Sequence, residues 1–163
     1  MQHINRFSYM QSERPALMGI MKGGISAENA EGTAALFWLP DAMYIQVDFT
    51  GLPPSEVFGL HIHEGYICGE PRDPDTFAGA GKHYSNCPEG MWCGQHPYHA
   101  GDLPPIFSDA EGAASMQVYL DKAAAEEISG RVLILHSMRD DFTSQPAGDS
   151  GTRIACGVLA EYL

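Results

Sequence analysis

Basic residues are scarce in this chain: nine Lys and Arg stand against 21 Asp and Glu over 163 residues, a formal net charge of −12. That balance repels polyanions and so argues against nucleic acid or an anionic membrane surface as partner. Long apolar runs are lacking too. No segment approaches the roughly 18 to 20 apolar residues that cross a bilayer, so no membrane association is expected. The opening MQHINRFSYMQSERPALMG has no apolar core and no small-residue cleavage site. It does not read as a signal peptide, which points to a cytoplasmic protein, the alternative being an exported chain already processed. Helical patterning is equally thin: only DKAAAEEISG, Asp121 to Gly130, has helix composition, enough for a turn or two. There is no internal repeat, low-complexity tract or inter-domain linker, and the length suits one domain.

What the chain does contain is short apolar runs punctuated by Gly and Pro. ALMGIMKGG, GTAALFWLP, AMYIQVDFTGLP, VFGLHIHEG, AASMQVYLD, GRVLILHS and RIACGVLAEYL each have strand composition between turn formers. Seven or eight such strands predict an all-β sandwich or barrel. Two stretches lack strand periodicity, Gly65 to Phe107 and Ser137 to Gly151. Loops of that length are uncommon in a compact domain unless they carry function.

Six of the seven histidines fall into a pattern: His61 and His63 in GLHIHEG, His83 in AGKHYSN, His96 and His99 in HPYHAGD, and His136 in LILHS, with His3 outside it. Side chains alternate along a strand, so His61 and His63 share one face while Ile62 points to the other. Two imidazoles so placed can share a metal. With Asp102 three residues after His99, the donor set is nitrogen and carboxylate oxygen without thiolate, which suits copper and zinc.

The blocks GLHIHEG, AGKHY, HAGDLP, GRVLILH…DDF and SGTRIACGVL, in that order, resemble the copper-zinc superoxide dismutase family of the bacterial type. The resemblance runs from about Ala16 to Val158, which leaves 1–15 as an N-terminal extension and 16–163 as the domain. It implies an eight-stranded Greek-key β-barrel with two long functional loops, and copper and zinc as cofactors. The implied copper ligands are His61, His63, His83 and His136, and the implied zinc ligands His83, His96, His99 and Asp102. His83 would bridge the two metals as an imidazolate and act as proton carrier. Asp140 corresponds to a carboxylate that orients a copper-side and a zinc-side histidine, with Asp141 as the alternative if the register differs by one. Arg153 corresponds to the arginine that draws in the substrate anion, superoxide, for dismutation to dioxygen and hydrogen peroxide.

The stretch YSNCPEGMWCGQ between His83 and His96 departs from the family's usual Asn-Pro after the bridging histidine. Four cysteines allow three pairings. The resemblance implies Cys68 with Cys156, leaving Cys87 and Cys93 to pair or to remain thiols. In the second loop only Arg139 is basic, against Asp140, Asp141 and Asp149, so no lysine-based guidance of the substrate is evident. A second function class fits the same resemblance, a non-catalytic module that keeps zinc for stability and stores or delivers copper. The full set of ligands plus Arg153 favours the enzyme. A homodimer is compatible with the resemblance.

Overall fold

The computed structural model describes residues 14–39, 43–69, 77–87, 94–120 and 123–162. Of residues 1–15, expected to be an N-terminal extension, only Arg14 and Pro15 are among them, so that His3 lies outside. Each apolar run of the sequence becomes strand: β1 Leu17–Gly23, β2 Glu31–Trp38, β3 Met43–Thr50, β4 Val57–Phe58, β5 Leu60–His63, β7 Ala114–Leu120, β8 Val132–His136, β9 Arg153–Val158 and β10 Ala160–Glu161. One strand, β6 Ile106–Phe107, was not legible in the sequence, because two residues are too few for alternation to show. The expected helical stretch contracts to α1, Ala125–Ile128, whose first-turn Glu127 carboxylate accepts the Ala124 N–H at 3.0 Å. Among the described residues no helix is long and apolar enough to cross a membrane.

The main sheet is antiparallel and curled, in the order β5-β8-β9-β1-β2-β3-β7, with β10 on β1 and a separate β4-β6 pair. The architecture is therefore the all-β curled sheet that the strand pattern implies. Strand β3 shows why these residues choose it: Met43, Ile45, Val47 and Phe49 face the core, while Gln46 and Asp48 face outward between them. Strand β8 is buried at every residue. Leu133 and Leu135 enter the main core, whereas Val132 and Ile134 join Phe77, Ala80 and Cys156 in a second apolar cluster on the opposite face. The first long loop covers that opposite face, and the Cys68–Cys156 disulfide pins it to β9 across 88 residues of sequence.

Candidate metal centre

Strand β5 puts the first two histidines in place. Leu60 and Ile62 are in the core, so alternation turns His61 and His63 to the other face, where loops bury them to 0 and 1 % exposure. The outer edge of β5 would be open, but the first loop closes it. Ile62 N–H donates to Gly101 O at 2.9 Å, Tyr84 N–H to Ile62 O at 2.8 Å, and Gly101 N–H to Tyr84 O at 2.8 Å. Gly101 allows this approach, since a Cβ there would stand 2.2 Å from the Ile62 carbonyl oxygen. This edge pairing sets His83 opposite His63 and Asp102 opposite His61. From the other side β8 delivers His136, paired with Arg153 across an irregularity in the β8–β9 ladder.

Five of the six patterned histidines and Asp102 thus converge in two overlapping groups. His61, His63, His83 and His136 bring one donor atom each within 4.8 Å of one another, and so do His61, His83, His96 and Asp102. His99 joins the second group through Asp102, with Nδ1 2.9 Å from Oδ2, while His96 Nδ1 stands 3.2 Å from the same oxygen. His83 lies between the groups. Its Nδ1 meets Asp102 Oδ1 at 2.7 Å.

Four of the six rings, His61, His83, His96 and His99, are held by one nitrogen and leave the other without a hydrogen-bond partner. His63 Nδ1–H donates to Gly81 O at 3.0 Å, which leaves Nε2 facing His136 Nε2 at 3.3 Å. The buried Asp140 carboxylate accepts from His61 Nε2 at 2.8 Å, from His96 Nε2 at 2.7 Å and from the Phe142 N–H at 2.7 Å. His61 Nδ1, His83 Nε2, His96 Nδ1, His99 Nδ1 and His136 Nδ1 are buried without a hydrogen bond, the approaches of His96 and His99 to Asp102 Oδ2 being close in distance but not aligned as hydrogen bonds. Such clustered orphans are costly in a protein interior and are what cations satisfy. The donor set therefore fits copper at the first group and zinc at the second.

Charge follows the same logic. Burial drives the His63 pKa down to about 2 and that of His136 to about 3, and the neighbouring rings add to it. Burial also lowers His61 against the pull of Asp140. For Asp102 burial acts upward but is outweighed by the hydrogen bond from His83 and by the nearby rings, which hold it at about 2. His61, His63 and His136 are therefore neutral and Asp102 is ionised at neutral pH.

Arg153 sits beside this pocket, half-buried, its guanidinium donating to Phe77 O and Gly81 O at 2.7 and 2.5 Å. The Gly81 carbonyl so ties the arginine to His63. Asp140 and Asp141 separate cleanly: Asp141 instead accepts the Ser144 hydroxyl at 2.6 Å and the Ser144 and Thr143 N–H groups at 2.8 Å, which lower its pKa and fold its own loop. Cys87 is disulfide-bonded, and Cys93 lies outside the described residues. Gln145 and Gly148, which both contact this centre, were missed by the sequence reading. A Gln-Pro and a glycine inside a functional loop were the only local signals.

Comparison with known proteins gives one consistent result. The family model described as copper/zinc superoxide dismutase matches residues 22–159. Superoxide dismutase [Cu-Zn] 2 of Aquifex aeolicus is 36 % identical over 138 residues, 78 % of this chain and 78 % of that protein. The Caulobacter vibrioides superoxide dismutase [Cu-Zn] is 30 % identical, covering 78 % of this chain and 77 % of its own. Among solved structures, the Cu/Zn superoxide dismutase from Brucella abortus superposes with a TM-score of 0.71 at 28 % identity, covering 87 % of this chain and 97 % of that one. A double mutant of a superoxide dismutase-like protein from Bacillus subtilis gives 0.72 at 28 %, over 89 and 99 % of the two chains.

Proposed function

The chain belongs to the copper/zinc superoxide dismutase family and dismutes superoxide with copper and zinc as cofactors; from that premise we propose which residues do the work. His61, His63, His83 and His136 hold copper, and His83, His96, His99 and Asp102 hold zinc. The observation that carries this division is His83, a ring that falls in both groups, with Nδ1 on Asp102 and Nε2 left unpaired.

Bound copper supplies the one-electron couple that dismutation requires, and zinc a fixed positive charge that does no redox chemistry. The chain's residues supply the rest. His83 would hold or release a proton at Nε2 while its Nδ1 stays on the zinc side next to Asp102, which makes it a proton carrier that never leaves its position. Asp140 locks His61 and His96 in the tautomer that frees both Nδ1 atoms. Arg153 offers one positive charge to a monoanion at the pocket, with its orientation set by two backbone carbonyls. Retention of all four copper-side histidines and of Arg153 favours the enzyme over a storage module.

His136→Ala tests the division. Dismutation should be lost while zinc stays near one per chain by metal analysis. Full copper-dependent activity in the variant would remove His136 from the ligand set.

A further inference from the structure

The ring of His96 is fixed at Nε2 by Asp140, but its main chain lies in an awkward place. From Gly94 to Tyr98 the chain forms no strand or helix, and Gly94, Gln95 and Tyr98 are exposed around the buried His96. Among the described residues, no backbone group pairs with the His96 main chain. Both of its polar groups go to a single side chain 49 residues away: His96 N–H donates to Gln145 Oε1 at 3.1 Å, and Gln145 Nε2–H donates to His96 O at 2.7 Å. A carboxamide carries one acceptor and one donor in a single plane, which is what a main-chain N–H and C=O together require. The reversed amide would set donor on donor and acceptor on acceptor, so the two contacts fix its orientation.

We propose that Gln145 is a positioning residue for the zinc side of the centre, clasping the His96 backbone so that Nδ1 is aimed at the zinc position before the metal arrives. The inference rests on His96 being a zinc ligand. Its physical basis is that an imidazole's direction follows from where its backbone sits and where its far nitrogen is tied. Asp140 fixes the second and Gln145 the first, and both belong to the loop that follows β8. Without the clasp the 94–98 segment has more conformations to lose on zinc binding, and affinity falls by that amount.

The test uses the full-length chain with Gln145→Leu, which keeps the volume and removes both hydrogen bonds, and Gln145→Glu, which keeps only the acceptor. Zinc affinity is measured by competition with a chromophoric chelator, unfolding midpoints with and without zinc, and the visible bands of cobalt(II) placed at the zinc position. Gln145→Leu should bind zinc about 10- to 100-fold more weakly, the range for residues that orient metal ligands, with Gln145→Glu in between. Its cobalt(II) bands should shift in position or intensity even at saturation. The metal-free midpoint should barely move, since Gln145 is exposed, while the zinc-induced rise in midpoint shrinks. Zinc affinity within twofold of the natural chain overturns the clasp, as does a fall in the metal-free midpoint with zinc affinity retained. If the natural chain itself binds no zinc, the ligand assignment fails and the clasp with it, a result distinct from either of those.

Discussion

Gly148 offers the sharpest steric test of how this centre is assembled. The Asp140 carboxylate reaches two histidines only because nothing occupies the space beside it: a Cβ on Gly148 would stand 1.9 Å from Asp140 Oδ1 and 2.6 Å from His96 Nε2. Its backbone also has φ of +64°, in the left-handed region. Gly148→Ala therefore meets two penalties. The left-handed backbone costs an alanine about 1 to 2 kcal/mol, and displacing the carboxylate weakens hydrogen bonds to a charged group worth about 1.5 to 3 kcal/mol each. Allowing for partial relaxation, we expect a loss of about 3 to 5 kcal/mol in urea unfolding of the metal-free chain. Zinc affinity should fall about 10- to 100-fold because His96 loses its orienting carboxylate. Gly148→Asn separates the two penalties, since asparagine tolerates the left-handed backbone yet carries the colliding Cβ. Its zinc affinity should stay near that of the alanine variant. Natural zinc affinity in Gly148→Asn would refute the steric argument, and an unchanged urea midpoint in Gly148→Ala would refute both parts.

Two further outcomes follow from the same geometry. Arg153→Glu should leave copper and zinc bound but cut the dismutation rate by about an order of magnitude or more, with a flatter or reversed dependence on ionic strength; the same rate and salt response as the natural chain would mean that Arg153 does not face the substrate. In the metal-free chain His63 and His136 have folded pKa values depressed to about 2 and about 3, below the 6.5 of a free histidine. The unfolded state then binds more protons below pH 6.5, so stability present above that value is lost as pH falls toward 3. Urea midpoints that do not drop between pH 7 and 4 would show that these rings are not buried neutral.

The sequence by itself determined the strands and the placing of three of the four copper-side histidines, because both follow from local periodicity, whereas His83 reaches the group only through the first loop's pairing with the edge of β5. An H-x-H pair alternating with Leu60 and Ile62 must put its imidazoles on one face once those two apolar residues enter the core, and the run VLILH carries His136 on the same principle. The spacing after His99 pointed to Asp102, and the resemblance of five short blocks supplied Asp140, Arg153 and the Cys68–Cys156 disulfide. It could not separate Asp140 from Asp141 by chemistry, since both are aspartates in one acidic loop. Only tertiary structure did so, by burying Asp140 between two histidines and leaving Asp141 to fold its own turn. Strand β6 escaped notice because its pairing with β4 is long-range and two residues deep. Gln145 and Gly148 escaped for a related reason. A glutamine that completes the hydrogen bonding of a backbone 49 residues away, and a glycine whose missing Cβ makes room for a carboxylate, leave no periodic mark on the chain; their roles exist only once the two long loops meet over β5.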